Sequence, residues 1–512
     1  MLHARVAPQV GATKRLALLA ICLAAVAMPL AFTGTAVALP AIGRSLEGGP
    51  VAMAWATNAF MLTFGSTLLA AGALADRYGR KRIFLAGTGA FALASLALVA
   101  APDILVFDLL RGLQGFAAAA AYAGGAAALA QEFEGSERLR AFSFLGTSFG
   151  VGLSLGPIAS GLMIEAFGWR SVFLTVVGFT TLATLLGRRA VRDSRDPAAS
   201  RLDWRGALCF TAMLTLFTYG MLLVPARGGA DSVVLGCLSG AGLCLAAFIV
   251  IERRVARPML DLGLFRYARF VGVQLLAAAP AYGFVILLIL LPVRFVGIEE
   301  MGEAAAGSLM VALSAPLVVL PVAAGTLTRW LRPATICGVG LLVSSGGLLW
   351  LALTPIGAPP LVTALPMLLV GIGISLPWGL MDGLAVSVVP KERAGMASGL
   401  FSTVRVAGEG VALAVVGAVL SLLIAARIDA VGPGGPVSLA SQLLAGGDLR
   451  GALTVMPGLL PETVVALYGA AFGRLLGLLA GITAITALVV FLMLGRSDGA
   501  TVPLGAGDQA AA

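Results

Sequence analysis

Charge is scarce in this chain: 12% of its 512 residues are Asp, Glu, Lys or Arg, against roughly 25% in soluble proteins. Histidine is nearly absent. The single His3 lies in the N-terminal tail, which leaves nothing for a His-containing catalytic set or a His metal site. The lysines are Lys14, Lys81 and Lys391, and none follows a GxxxxG run, so no phosphate-cradling loop exists and ATP-driven transport by this chain alone is disfavoured. The five cysteines (Cys22, Cys209, Cys237, Cys244, Cys337) sit in apolar runs without paired spacing and read as small packing residues. Abundance lies elsewhere: 59% of residues are hydrophobic, and mean hydropathy is +1.00. The net charge of +9 is confined to short loops between apolar runs, with no aromatic-rich basic module. It therefore reports membrane orientation rather than nucleic-acid binding.

Windows of about 20 apolar residues predict about fourteen spans, from 16–40 at the start to 466–494 at the end. The fold class is an all-α membrane protein. An even number of spans puts both termini on one side. The basic segments at Lys14-Arg15, Arg188–Arg205, Arg253–Arg269 and Lys391/Arg393 make that side the cytoplasm. The first apolar run continues to Leu39, too long for a signal-peptide core, so it is read as an uncleaved helix. Arg427–Glu462, with Gly-Pro-Gly-Gly-Pro at 432–436, is the longest non-apolar gap and is expected outside. The tail at 497–512 is expected to be disordered and cytoplasmic.

One loop is densely charged: Gly72-Ala-Leu-Ala-Asp76-Arg77-Tyr-Gly79-Arg80-Lys81-Arg82. Gly72 permits close helix approach, Gly79 a tight reversal, and Asp76 is an acid among cations. Gly325 to Pro333 echoes its position and spacing, with Arg329 where the acid stands, a faint internal repeat.

Charges within spans are costly and so are functional candidates. Asp108 and Arg111 lie three residues apart on one helix face, and Gln114 extends that face beside Gly112 and Gly115. This polar track reads either as a structural ion pair or as a route coupled to proton or substrate charge. Asp382 and Glu409 are the other carboxylates in spans. Glu409 follows Arg405 by one turn, so the two can neutralise each other, whereas Asp382 has no such helical partner. The fifth span carries small residues at Gly146, Gly150, Gly152, Gly156, Ser160 and Gly161, with a bend at Pro157. Phe60, Phe64, Phe116, Tyr122, Trp378 and Met381 are candidates for an adaptable cavity wall or for ordinary packing.

Together these motifs resemble the major facilitator superfamily, in its 14-span branch of drug/proton antiporters. The 72–82 loop resembles motif A, Arg111-Gly-Leu-Gln114-Gly115 motif B, and Gly152-x3-Gly156-Pro157-x2-Ser160-Gly161 the antiporter motif C. Trp55 with Phe60-Met-Leu62, Trp169-Arg170-x2-Phe173, Leu202-Asp203-Trp204-x-Gly206, Glu252 with Pro258, Asp261 and Leu264-Phe265-Arg266, and Ala394 to Gly399 extend the match. The resemblance implies two six-helix bundles, at 1–190 and 269–496, with a linker and two inserted helices at 191–268. It implies a midplane site, rocking of the halves, and proton-coupled efflux of small amphipathic or hydrophobic compounds. Asp76 with Arg77, Arg80 and Lys81 would latch against a helix N-terminus of the other half. Arg111 would take the motif B role in proton coupling.

Two departures stand out. Ala31 replaces the first-span acid and Ala36 the asparagine of the family pattern, and Ser143 stands where glycine is usual. Proton coupling would then rest on Asp108, Asp382 or Glu409. A dedicated exporter of one self-made metabolite, neutral or anionic, is the competing reading; a polytopic membrane enzyme or receptor is the distant one. The implied partners are a small-molecule substrate, protons and the lipid bilayer of a bacterial cytoplasmic membrane. No cofactor, metal or nucleic acid is implied, and no feature identifies a periplasmic adaptor.

Overall fold

The structure, a computed structural model, describes residues 6–133, 135–195, 203–255, 260, 262–388, 394–431 and 435–495. His3, Leu202, Pro258, Asp261, Lys391, Arg393, positions 432–434 and the tail from 496 lie outside those residues, as do the side chains of Ser143 and 394–398. Among the described residues every regular element is helical, and fourteen helices are long and apolar enough to cross a membrane.

The first six are α1 (Val6–Leu46), α2 (Pro50–Tyr78), α3 (Arg80–Val99), α4 (Ile104–Glu132), α5 (Gly135–Phe167) and α6 (Arg170–Ala190). Next come α7 (Trp204–Arg227) and α8 (Ser232–Arg254), then a short 3-10 turn at Leu262–Arg266. The ninth span combines α9 (Ala268–Pro280) and α10 (Leu287–Pro292), each followed by a π turn, at Ala281–Val285 and Val293–Ile298. Pro280 and Pro292 explain the wide turns, because a proline cannot donate to the preceding turn and crowds it. The tenth span is broken into α11 (Glu303–Ser314) and α12 (Pro316–Leu327) at Pro316. Then follow α13 (Pro333–Leu353), α14 (Pro360–Ser387), α15 (Ala394–Asp429), α16 (Val437–Ala445), α17 (Leu449–Val455) and α18 (Pro461–Gly495).

Local chemistry sets several ends. Asp103, Asp203 and Asp231 cap α4, α7 and α8, accepting from the backbone N–H of Val106 (2.8 Å), Gly206 (3.0 Å) and Val233 (2.9 Å). Gly79 reverses the chain between α2 and α3 at φ +113°, a conformation that a side chain would strain.

Packing makes the faint repeat plain. In the first six helices α1 packs on α5 and α6, α2 on α4, and α3 on α4 and α6. The same pairings recur later: α9 on α15 and α18, α12 on α14, and α13 on α14 and α18. The two bundles meet along two seams, α5 against α11 and α2 against α15. The inserted pair α7–α8 stands beside the second seam, with α7 touching both α2 and α15. Trp55 meets Tyr219 there at 6.3 Å between ring centroids. The apolar window of α8 is only 17% buried within the protein, against 89% for the α9–α10 span. The ninth span is therefore central, and α8 turns most of its surface to lipid.

The Arg427–Glu462 segment has structure of its own. It holds two short helices, and Gly447 packs so closely on Gly297 that neither position has room for a side chain. Helices of seven and nine residues escape a window sized for membrane spans.

Candidate functional site

Arg405, on α15, is the centre of the site. It is 4% exposed, and its guanidinium lies over Trp378 (5.7 Å), Phe401 (5.7 Å) and Phe149 (5.9 Å). It donates to the Tyr122 hydroxyl at 3.4 Å and pairs with Asp382 at 3.7 Å. Tyr122 and Phe149 come from α4 and α5, Trp378 and Asp382 from α14, so this one cation joins the two halves. Rings continue away from it through Tyr122–Phe64 (6.2 Å), Phe64–Phe60 (5.8 Å) and Phe60–Phe32 (6.5 Å). On the other side Trp378 meets Phe284 at 6.4 Å, and Met381 is fully buried below it. Glu409 is buried one turn beyond Arg405 and within its field.

Two expectations need correction here. Asp382 has no partner on its own helix, as expected, and pairs instead with Arg405 of α15; it is not buried, however, since its side chain is 58% exposed. Phe116 does not join the wall. It is 47% exposed, in line with Leu105, Leu109 and Leu113 on the outer stripe of α4. Helical periodicity sends that stripe away from the face that carries Arg111 and Gln114.

The Arg111 cluster forms a second polar centre, within the first half. Arg111 is fully buried, donates from Nε to the Ala56 carbonyl at 2.8 Å, hydrogen-bonds Gln114, and lies 4.6 Å over the Phe60 ring. Gln114 passes the chain on to Ser95 (2.8 Å), whose hydroxyl donates to the Phe91 carbonyl (2.7 Å). Gly115 lets α4 close on Phe60 and Thr63 of α2, where a Cβ would collide with backbone. Asp108 is partly buried near the end of this track, and its Oδ1 has no hydrogen-bond partner among the described residues.

The charged loop is tied down to its own half and to the start of the linker that follows it. Arg80 bonds Asp76 at 2.9 Å and Gln131 at 2.7 Å, and its backbone N–H donates to Ser194 at 2.9 Å. Arg82 lies 3.7 Å from Asp193, and Arg77 stacks on its neighbour Tyr78 at 5.3 Å. Lys81 is partly buried beside them. Gly72 makes no close helix approach: a Cβ there would meet nothing within 4 Å. It faces open space rather than a neighbouring backbone.

The small-residue face of α5 serves two partners. Gly152 and Gly156 seat against Val26, Pro29 and Thr33 of α1, whereas Gly161 meets the backbone of Glu303 and Ala304 in α11. Gly307 of α11 in turn faces the Pro157 carbonyl, 2.7 Å from where a Cβ would stand. Ala31 is fully buried, and its carbonyl accepts from Thr35 at 2.7 Å, so α1 offers backbone and the one ring of Phe32 where the family pattern has an acid.

Sequence reasoning passed over Phe149, Phe284 and Phe401, and also a buried ion pair, Arg294–Glu299 at 2.6 Å, beside Phe472. The signal for the pair was available, since Arg294 interrupts an apolar run. The aromatic residues had none, because only packing separates a cavity ring from a core ring. Among the described residues no cluster of His, Cys, Asp or Glu could hold a metal ion.

Comparison with known proteins agrees with this architecture. The Multidrug resistance protein Stp of Mycobacterium tuberculosis (strain CDC 1551 / Oshkosh) is 31% identical over 398 residues, covering 77% of this chain and 73% of that one. The Puromycin resistance protein pur8 of Streptomyces alboniger is 34% identical over 385 residues, 74% and 76% of the two chains. The crystal structure of a bacterial homolog to the human lysosomal transporter Spinster, in an inward-facing and unoccupied conformation, shares the fold at TM-score 0.64 and 16% identity, covering 94% of this chain and 97% of that one. Residues 21–413 match the family model of the Major Facilitator Superfamily, and the chain belongs to that family.

Proposed function

We propose that this protein is a secondary active exporter of small amphipathic or hydrophobic compounds, drugs and antibiotics among them. The carrying observation is Arg405, which reaches Tyr122 and Phe149 across the boundary between the halves from a wall of rings. A cation, aromatic faces and an exposed carboxylate at one junction can receive varied amphipathic molecules. The efflux and resistance names of the relatives support the same reading. The halves, 1–190 and 269–496, rock about this junction, with 191–268 carrying the linker and inserted helices. Both termini face the cytoplasm of a bacterial cell. The decisive experiment is accumulation of a chemically diverse panel in cells lacking other pumps, with and without a proton gradient. Equal accumulation with and without the protein, for every compound, rejects the exporter.

In this reading protons drive export in exchange for cargo, through Asp108, Asp382 and Glu409 beside Arg111 and Arg405. Asp382→Asn is expected to flatten the dependence of export on pH in proteoliposomes. Unchanged pH-dependent export removes Asp382 as the carrier. Asp76, with Arg77, Arg80 and Lys81, acts as the latch of the rocking motion. Asp76→Asn should slow export several-fold at unchanged membrane content, measured by initial efflux rate and immunoblot.

A second reading is a dedicated exporter of one neutral or anionic metabolite. It is favoured by Ala31 in place of an acid and by a buried cation at the junction. Export of a single panel member would select it.

A further inference from the structure

The inserted helices meet the second half at a corner rich in arginine. Arg205 lies in the first turn of α7, Arg253 and Arg254 close α8, and Arg266 ends the 3-10 turn. All four are exposed, and none pairs with a carboxylate among the described residues. By contrast Arg80, Arg82 and Arg192, near the charged loop, pair with Asp76, Asp193 and Glu132. The fold gathers the four cations. Glu252, next to Arg253, is buried; its Oε2 accepts from the Leu260 N–H at 3.0 Å, and its Oε1 lies 3.1 Å from where a Gly206 Cβ would stand. Phe265, next to Arg266, lines a common cavity with Ala207 of α7 and Phe248 of α8. Arg205, Arg253 and Arg266 are thus chain neighbours of residues that pack together. The acids described at this corner are turned inward: Asp203 caps α7, and Glu252 holds Leu260. Apolar surface lies directly beneath the cations. Leu208 is one turn deeper than Arg205, Val250 is one turn deeper than Arg253 and Arg254, and both are exposed. The Arg205 guanidinium lies 5.3 Å over the Trp204 ring, and Trp204, Phe265 and Tyr267 add exposed rings at the level of the cations. Guanidinium forks match phosphate oxygens, and such rings favour the headgroup level of a bilayer.

We propose that this corner binds an anionic phospholipid, its phosphate held by Arg205, Arg253, Arg254 and Arg266 and its acyl chains laid along Leu208 and Val250. Cations above an apolar strip suit a lipid, whereas a free anion needs no such strip. The apolar windows of α7 and α8 are only 28% and 17% buried within the protein. A lipid that bridges α7, α8 and the 3-10 turn ties this sparsely packed pair to the start of the second half. Binding needs neither cargo nor transport.

Native mass spectrometry of the purified full chain, titrated with phosphatidylglycerol or with phosphatidylcholine, is the test. The anionic lipid is expected to bind at least about fivefold more tightly than the neutral one. The doublet Arg253→Gln with Arg254→Gln should weaken phosphatidylglycerol binding at least about fivefold, because it removes two of the four cations. The matched doublet Arg188→Gln with Arg189→Gln, at the exposed end of α6 on the same side of the membrane, removes equal charge and should leave binding unchanged. Melting temperatures in detergent check that each doublet is folded. If the α8 doublet is not, Arg205→Gln with Arg266→Gln carries the same expectation. A phosphatidylglycerol with a photoreactive acyl chain should label peptides around Leu208 and Val250, and excess inorganic phosphate should not displace it. Equal loss in the α6 and α8 doublets, or labelling confined to other helices, overturns the site. Equal binding of the neutral lipid overturns recognition by charge, and displacement by phosphate overturns the lipid as occupant.

Discussion

Replacing Arg405 by Met should reduce export at least about 100-fold while the protein still reaches the membrane. Arg405 has a dual task. It touches rings from α4, α5, α14 and α15, and it is the cation beside buried Glu409. A guanidinium over an aromatic face contributes about 0.5–2 kcal/mol per contact, more as water is excluded. Removing Arg405 also leaves buried Glu409 without the cation whose field acts on it, which is unfavourable. The double variant with Glu409→Gln should therefore recover thermal stability without recovering export. Arg405→Lys keeps the charge but not the planar fork, and should fall between. Initial efflux rates and detergent-solubilised melting temperatures measure the two effects separately. Wild-type export by Arg405→Met would remove the central site as drawn.

Gly161→Val should reduce export at least about tenfold, for a steric reason. A Cβ at Gly161 would press on the Glu303 carbonyl group, with its carbon at 3.0 Å, and stand 3.2 Å from the Ala304 Cα. These are backbone atoms and cannot rotate away. Gly307 repeats the arrangement from the other side, 3.0 Å from the Ile158 Cα. The crossing of α5 and α11 thus depends on two missing side chains, and overpacking such a contact costs about 1–3 kcal/mol. If the halves rock, the valine holds this seam apart. A cysteine at position 303 should then react faster with an impermeant maleimide. Gly146→Val is the control on the same helix, because a Cβ there meets nothing within 4 Å. Equal export by both variants would falsify the seam's role.

Much of the candidate site was legible, though unevenly. Arg111, Gln114 and Gly115 share one helix face, so their common environment followed from helical period alone. The small residues of α5 announced a tight contact, but not that Gly152 and Gly156 serve α1 while Gly161 serves α11. Spacing along one helix suggested that Arg405 and Glu409 neutralise each other and that Asp382 has no partner on its own helix. In the structure Asp382 pairs with Arg405 from a different helix, a contact that same-helix spacing cannot report. Phe116 looked like a cavity ring and faces outward; Gly72 looked like a packing glycine and has no neighbour.

By itself the sequence determined the membrane class, the fourteen spans and the family, because hydropathy and motif spacing act over one helix or one loop at a time. Tertiary structure alone decided which helices pair, that α7–α8 stand beside the α2–α15 seam, and that Arg405 is the junction of the halves. Those facts depend on side chains as much as 283 positions apart meeting in space, as Tyr122 and Arg405 do. Only helix packing brings such residues together.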